Sequence, residues 1–448
     1  MSKRFEAVII GAGPAGEVAA SRLAKRGLRT ALVERELVGG ECAYWACIPS
    51  KTLLRPPAAR AEARRAAGLA DPEQRWREIV DYRDYMTRNL DDSRAATGYE
   101  DRGIRVYRGE GRITAPGRVE VEGEELEAER IVIATGSDPA IPPIEGLEES
   151  GYWTNREATQ LWEVPRDVAV LGGGPVGIEL GQMLRRYGAE VTIVQAPERL
   201  IDREDPAVGE LIAAALEDEG IKLRLGQRVK AVRAEDGRRI LELAGGAELS
   251  AERLLIATGR RPRAEGVGLA ALGVGADERG AVPIDEGCRV ADGVWAIGDV
   301  TGVALFTHVG KYQARIVVDD IAGRQPQADY RSVPRVVFSD PEIAAVGLTA
   351  ARAREEGIDV VEGTADLGRI ARTETYGRHL VGRLGVLADR ERRALVGAWA
   401  VGPLAGEWIH QAVLAVKTGT SVDVLRDTVA QFPTFSEAYL SAVEDLDL

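Results

Sequence analysis

The feature that most constrains this chain is a unit that occurs twice. Phe5–Ile10 is an apolar run ending in Gly11-Ala-Gly13-Pro14-Ala15-Gly16, and 168–171 ends in a second such turn carrying Gly172, Gly174 and Gly177. Each turn is followed by a stretch with helical spacing (17–26 and 178–187) and then by a second apolar strand (30–33 and 191–194). Strand, GxGxxG turn and helix in that order predict a βαβ unit whose glycines admit a tight turn and let a pyrophosphate approach a helix N-terminus. The expected fold class is therefore α/β, with two Rossmann-like, doubly wound nucleotide-binding domains. A shorter element also repeats: 131–137 and 254–260 both hold a buried-type strand that closes in Ala-Thr-Gly. Residues 57–102, rich in Ala, Arg and Glu, read as long helices. From about Arg331 the pattern becomes strand–helix–strand–strand–helix without glycine-rich strand ends, which predicts a third, α+β domain.

Composition narrows the partners. The 448 residues are enough for about three domains. With 58 basic and 71 acidic residues the net charge is −13, a surface that repels nucleic acid and anionic lipid. No apolar run approaches the ~18 residues that span a bilayer, and Phe5–Ile10 is too short for a signal-peptide core. Only three cysteines, Cys42, Cys47 and Cys288, predict a reducing, cytoplasmic setting. In that setting a close pair is catalytic or metal-binding more often than structural.

Two strand ends carry nucleotide chemistry. Glu34 closes the second strand of the first unit, where a carboxylate accepts from ribose hydroxyls. The corresponding residue of the second unit is Gln195, which bonds a ribose hydroxyl without repelling a 2′-phosphate; Arg199 or Arg203 could supply charge for that phosphate. NADPH and NADH both stay open.

The sharpest motif is Gly39-Gly40-Glu-Cys42-Ala-Tyr44-Trp45-Ala-Cys47-Ile-Pro-Ser-Lys51. Cysteines five apart on a regular helix lie too far apart to bridge, so a disulfide here requires a distorted first helical turn. A strained, accessible bridge is the labile kind, and a helix N-terminus lowers a thiolate pKa. A zinc site lacks a second Cys/His pair, and two buried structural thiols are the remaining alternative. Cys288 stands alone and reads as a core thiol.

Over essentially its whole length the chain resembles the class I pyridine nucleotide-disulfide oxidoreductases, on Gly39–Lys51, the two glycine turns and Gly293-Val-Trp-Ala-Ile-Gly-Asp299. The resemblance implies residues 1–147 and 265–330 as the FAD-binding and central parts, 148–264 as the NAD(P)-binding domain and 331–448 as the dimerisation domain. It implies an FAD site of Gly11, Gly13, Pro14, Ala15, Gly16, Glu34, Gly40, Lys51, Thr135, Gly136, Asp299 and His308. The NAD(P)H site would comprise Gly172, Gly174, Val176, Gly177, Glu179, Gln195, Arg199 and Gly259. Cys47 would be the charge-transfer thiol beside the flavin and Cys42 the interchange thiol that meets the acceptor. Lys51 would pair with Glu179 near the flavin. Electrons would pass from NAD(P)H to FAD, to the Cys42–Cys47 disulfide and on to a small-molecule acceptor. The enzyme would be a homodimer whose active site is completed by Phe432 and Glu437 of the partner subunit. No resident metal is expected.

Three departures bear on the acceptor. Relatives that reduce disulfides carry His-Pro near the C-terminus with a Glu four residues after the Pro, and that His is the base. Here Phe432 precedes Pro433, and Glu437 is left without its His. A phenyl ring moves no proton, and acid–base help is worth about 10²–10⁴-fold. Mercuric reductases share the Phe-Pro but follow it with Tyr and end in a cysteine pair, whereas this chain has Thr434 and ends Asp-Leu-Asp-Leu448. The 2-ketopropyl-coenzyme M carboxylase branch also has a Phe at this place, where it excludes protons. Finally, Tyr44 and Trp45 replace smaller residues of the cysteine loop, either shaping an acceptor pocket or packing against the dimer partner. Of the histidines, His379 and His410 read as structural or surface residues. The leading reading is an FAD-dependent NAD(P)H oxidoreductase with a working disulfide. Its alternatives are a quinone or dye reductase, a thiolate enzyme attacking an electrophile, a mercuric reductase-like metal reductase and a non-enzymatic flavoprotein sensor.

Overall fold

A computed structural model describes residues 3–377 and 380–448 of the protein. By internal contacts the chain forms two compact units. The first takes the chain up to Pro49 with Asp81–Ala140 and Gly259–Asp329; the second takes Ser50–Val80, Ile141–Thr258 and Tyr330–Leu448.

The first unit is built on a six-stranded sheet, ordered Arg289–Ala291, Val294–Ala296, Ile131–Ile133, Ala7–Ile10, Thr30–Glu34 and Ile104–Arg108. All neighbours pair in parallel except the first two, which form an antiparallel edge. Strands buried on both faces read as continuous apolar runs, as Ala7–Ile10 does. Side chains alternate across the sheet. Ala7 and Ile9 face a layer that includes Ala19, Ala20, Leu23, Ala314 and Val317, from the helices Pro14–Lys25 and Thr307–Ile321. Val8 and Ile10 face the opposite layer, where Ile113, Val119, Val121 and Leu126 come from a small second sheet. Cys288 is buried in the helical layer.

The second unit holds a four-stranded parallel sheet ordered Lys222–Arg224, Glu190–Val194, Asp167–Leu171 and Arg253–Ile256. It also holds a five-stranded antiparallel sheet ordered Pro334–Val337, Glu342–Gly347, Ala394–Gly402, Arg383–Asp389 and Val360–Asp366. One apolar core joins them: Val170, Ile193 and Leu255 of the parallel sheet pack in the same cluster as Ile343, Trp399 and Val401 of the antiparallel one. Ala344, Ala398 and Ala400, on the alternate face, pack instead with Ala412, Ala438, Tyr439 and Ala442 of the C-terminal helices. Polar ties reinforce the junction, with Arg335 bidentate on Glu204 at 2.5 and 2.8 Å and Arg186 bridging Glu219 and Asp340. Residues 141–258 and 330–448 therefore share one unit.

Two local patterns differ from the sequence expectation. The stretch 57–102 is broken: the helix Cys47–Arg65 ends ahead of Gly68 (φ +83) and Pro72, and helices resume only at Trp76–Met86 and Ser93–Glu100. After Arg331 the order opens strand–strand–helix, because Ser339, Asp340 and Pro341 make a turn between Pro334–Val337 and Glu342–Gly347; Ser339 Oγ donates to the Pro341 carbonyl at 2.7 Å.

Trp399, 8% exposed, spans the shared core. Its replacement by alanine is expected to lower stability by about 3–5 kcal/mol in urea unfolding, and a loss below about 1 kcal/mol would contradict a common core.

Candidate active site

The two glycine turns are near copies in three dimensions. Gly11 has φ +107, and a Cβ there would meet the Ala134 carbonyl oxygen at 2.3 Å; for Gly172 the values are φ +118 and 2.3 Å from the Ala257 oxygen. A Cβ on Gly16 or Gly177 would lie 1.9 Å from the oxygen of Gly11 or Gly172. These four positions admit only glycine because strand, turn and helix cross at backbone contact. Gly13 and Gly174 instead have nothing within 4 Å of a would-be Cβ. Each opens onto a helix N-terminus that begins with proline, Pro14 followed by Ala15 in one and Pro175 followed by Val176 in the other. That open cradle, lined by unpaired helix N–H groups, suits a diphosphate.

The strand ends complete each cradle. Glu34 is buried, its two carboxylate oxygens accepting from Ala12 N and Glu36 N at 2.8 Å each. Burial raises its pKa although both hydrogen bonds favour the anion. A carboxylate offers about four acceptor sites, so two bonds leave room for ribose hydroxyls. Gln195 does for the second turn what Glu34 does for the first: its Oε1 accepts from Gly173 N at 2.8 Å. The isosteric amide keeps that bond without the charge. Nη1 of Arg199 is buried without a hydrogen-bond partner.

Asp299 lies in the short 3-10 turn Gly298–Thr301 that follows Val294–Ala296, accepts from Ser137 Oγ at 2.6 Å, and has its pKa raised by burial. Thr135 Oγ1 donates to the Arg263 carbonyl, and Gly136 adopts φ +79. Gly259 (φ +125) lies in the first unit, its carbonyl accepting from Ala140 N at 2.9 Å. His308 is exposed and stacks on Phe306 at 5.1 Å; His410 is exposed, and His379 lies outside the described residues. These positions around the first turn fit FAD, and those around the second fit a nicotinamide dinucleotide.

The cysteine loop is pinned against the first turn. Gly39 N donates to the Ala12 carbonyl at 2.8 Å, and a Cβ on Gly40 (φ +63) would meet Gly13 Cα at 2.7 Å. Val38 N donates to Asp92 Oδ2 at 2.5 Å, and Arg108 holds the same carboxylate bidentately. Tyr44 is buried within its own chain, its hydroxyl donating to the Val38 carbonyl at 3.1 Å, and its ring meets Trp45 at 5.8 Å. The two cysteines do not share a helix. Cys42 lies in Gly40–Tyr44, the chain breaks at Trp45, and Cys47 opens Cys47–Arg65. The break supplies the departure from helical geometry that a Cys42–Cys47 bridge requires.

Both sulfurs converge on one hydroxyl. Thr307 Oγ1 donates to Cys42 Sγ at 3.4 Å and lies 3.5 Å from Cys47 Sγ. Thr307 is the first residue of Thr307–Ile321, a helix that reaches the loop because Gly310 lets it pass close to Ala15 and Gly298. The neighbouring Cys47 sulfur, then burial, pushes the Cys42 thiol up. Cys42 also lines a cavity of about 570 Å³ with Glu17, Tyr99, Lys311 and Arg315. Thr307, Glu17 and Tyr99 carried no motif in the sequence; the one available signal was a hydroxyl residue opening the helix after Asp299.

In the second unit Lys51 Nζ lies 2.6 Å from Glu179 Oε2, and Glu179 Oε1 accepts from Phe338 N at 3.0 Å. The Lys51 ammonium also sits 4.8 Å from the Phe338 ring centroid. Phe432 is 75% exposed, and Glu437 turns back on its own chain, accepting from Thr434 N at 3.0 Å. That bond closes the turn just ahead of the last helix, Glu437–Glu444. Among the described residues no cluster of His, Cys, Asp or Glu is placed to hold a metal ion, and no helix is long and apolar enough to cross a membrane.

Two dinucleotide cradles and a thiol pair packed against the first of them define a nucleotide-dependent redox enzyme working through cysteine. Residues 5–316 match the pyridine nucleotide-disulphide oxidoreductase family and 333–443 match its dimerisation domain. The chain belongs to this family, whose members are NAD(P)H-dependent flavoprotein disulfide oxidoreductases using FAD. Among similar proteins is a dihydrolipoyl dehydrogenase of Thermus scotoductus, 36% identical over 99% of this chain and 98% of its own length. A mercuric reductase of Lysinibacillus sphaericus is 32% identical over 99% of this chain and 83% of its length. Among solved structures, the Cu(II) complex of the HOCl-induced flavoprotein disulfide reductase RclA from Escherichia coli, in a cysteine-to-serine mutant, has a TM-score of 0.89 at 29% identity, each chain covered to 99%.

Gln195→Glu adds a negative charge beside the second nucleotide turn. The ratio of kcat/KM for NADPH to that for NADH is expected to fall about tenfold or more, as like charges in a binding site dictate. An unchanged ratio would show that the 2′-phosphate does not approach this residue.

Proposed function

We propose that the protein is an NAD(P)H-dependent reductase whose Cys42–Cys47 couple delivers electrons to a thiophilic metal ion, copper(II) foremost, rather than to a disulfide substrate. The observation that carries this is Phe432. Reducing a disulfide releases a thiolate that must be protonated, and the phenyl group standing in the histidine position moves no proton. A metal ion leaves no such group behind. In the overall exchange two copper(II) ions each take one electron, the Cys42–Cys47 dithiol closes to a disulfide, and two protons are released. Similarity to a mercuric reductase and to a reductase solved with Cu(II) supports a metal acceptor. Thr434, where mercuric reductases carry Tyr, favours copper over mercury.

Bound FAD, reduced by NAD(P)H, would supply the electron pair. Gly11, Gly13, Gly16, Gly40, Glu34 and Asp299 would hold it, and Gly172, Gly174, Gly177 and Gln195 would hold the nicotinamide nucleotide. Cys42, which lines the open cavity, is the thiol that meets the acceptor, and Cys47 is the inner thiol. Thr307 donates to Cys42 and stabilises its thiolate. The dimerisation domain supports a homodimer in which Phe432 and Glu437 of the partner subunit close the acceptor site. A cytoplasmic setting suits thiols that must cycle.

The test is NAD(P)H oxidation with chelated copper(II), lipoamide or glutathione disulfide as acceptor. Copper turnover is expected to exceed disulfide turnover and to be lost in Cys42→Ser. Phe432→His is expected to raise disulfide turnover about tenfold or more. Faster wild-type reduction of lipoamide than of copper would sink this reading, whereas copper turnover that survives Cys42→Ser would assign reduction to the flavin directly.

A further inference from the structure

The Lys51–Glu179 pair is set in place by a third segment, the connection between Pro334–Val337 and Glu342–Gly347. On the helix Pro175–Arg186, residues Glu179, Gln182 and Arg186 stand at i, i+3 and i+7, within about 60° of one another. All three engage that connection. Glu179 Oε1 accepts from Phe338 N at 3.0 Å, Gln182 Oε1 accepts from Asp340 N at 2.8 Å, and Arg186 Nη2 donates to Asp340 Oδ2 at 2.9 Å. Gln182 is buried with both ends of its amide occupied, since Nε2 donates to the Asp340 carbonyl at 2.8 Å and to Glu219 Oε1 at 2.9 Å.

The connection grips the other helix as well. Lys51 belongs to Cys47–Arg65, and Arg65, in the last turn of that helix, donates from Nη1 to Asp340 Oδ2 at 3.0 Å. Arg186 occupies the last turn of its own helix. One carboxylate oxygen therefore joins the C-terminal ends of the two helices whose earlier turns supply Lys51 and Glu179. Glu219, on Arg186 Nε and Nη2 at 2.9 and 2.6 Å, balances the second cation. Between these ties sits Phe338, its N–H on Glu179 and its partly exposed ring 4.8 Å from the Lys51 ammonium.

We propose that Asp340 is a positioning residue for flavin reduction. It makes no hydrogen bond to Lys51 or Glu179 and acts on them through Phe338 and the two helix ends. Glu179 spends one oxygen on Lys51 and the other on Phe338 N, so a shift of that N–H swings the carboxylate and carries the ammonium with it. A lysine ammonium on its four-carbon stem has many rotamers, and only a fixed partner holds one of them. The inference rests on the reading that this pair lies beside the flavin, and it is independent of the acceptor.

The experiment mixes the full-length flavoprotein anaerobically with NADPH and, separately, NADH, with no acceptor present. Stopped-flow absorbance gives the limiting rate of flavin reduction and the nucleotide Kd as separate quantities, and dye equilibration gives the flavin midpoint potential. Asp340→Ala is expected to lower the limiting rate about tenfold and to leave Kd within about twofold, the mark of lost alignment. Its potential should move in the same direction as that of Glu179→Gln. Added to Glu179→Gln, Asp340→Ala should cost less than about twofold more, because residues that act through one group are not additive. Asp340→Asn, which keeps the shape and loses the charge, should fall between wild type and Asp340→Ala. If Asp340→Ala fails to fold, Arg65→Gln releases only the Lys51 helix and should lower the rate in the same direction.

A merely structural tie loosens the protein without regard to Glu179. Effects of Asp340→Ala and Glu179→Gln that add in full would therefore overturn the proposal. So would wild-type rate and potential in Asp340→Ala or, where that variant does not fold, in Arg65→Gln. Unchanged flavin reduction in Glu179→Gln would overturn it too, by removing the pair from this step. Absence of copper turnover alongside the expected reduction kinetics would remove only the metal acceptor and leave Asp340 in this role.

Discussion

Backbone against backbone, the cysteine loop rests on the first nucleotide turn, and the chemistry of the first unit depends on that contact. Gly40 packs on Gly13 where no Cβ fits, and Gly39 N–H reaches the Ala12 carbonyl at 2.8 Å. The turn that can take a diphosphate and the loop that carries the thiols are thereby one rigid piece. Asp92 clamps the approach to the loop through Val38 N–H, and Arg108 neutralises it. A carboxylate brought this far inside is tolerated because it is hydrogen-bonded and paired at once.

Within that frame the residues divide by reach. Cys42 and Cys47 meet through a broken helix and share one hydroxyl, Thr307, which arrives from a helix some 260 residues further along the chain. The outer sulfur lines a cavity whose wall mixes the cations Arg22, Lys311 and Arg315 with the Glu17 carboxyl. The second unit keeps its own charge pair, half-exposed Lys51 with buried Glu179, fixed by the Phe338 amide and ring. Glu437 turns back on its own chain, its carboxylate accepting from Thr434 N.

Much of the candidate site was legible before any coordinates. Glycines at 11, 16, 172 and 177 announce themselves because a backbone crossing at 1.9–2.3 Å from a would-be Cβ tolerates no other residue. Glu34 was legible from its distance to the turn, and Gln195 from the same register in the repeat. Thr307, Glu17 and Tyr99 were not, because each acts through a contact made by a distant element and none has a spacing that marks it. On a helix adjacent side chains point about 100° apart, so Thr307 meets the sulfurs while the next residue, His308, is exposed. The stretch 57–102 reads as long helices because composition favours helix throughout, and where each one stops is decided by local breakers such as Gly68 and Pro72.

The sequence by itself determined what is local: two strand–turn–helix units, the acid or amide that closes each, the cysteine pair, and the phenylalanine, Phe432, ahead of Pro433. These follow from short-range sterics and spacing, which the order of residues fixes. Only the tertiary structure decided which groups gather around Cys42, that the parallel and antiparallel sheets of the second unit share one core through Trp399, and that Glu437 serves its own helix. Those outcomes depend on how buried surfaces fit across hundreds of residues, where packing and hydrogen-bond completion select among many alternatives that local pattern leaves equal.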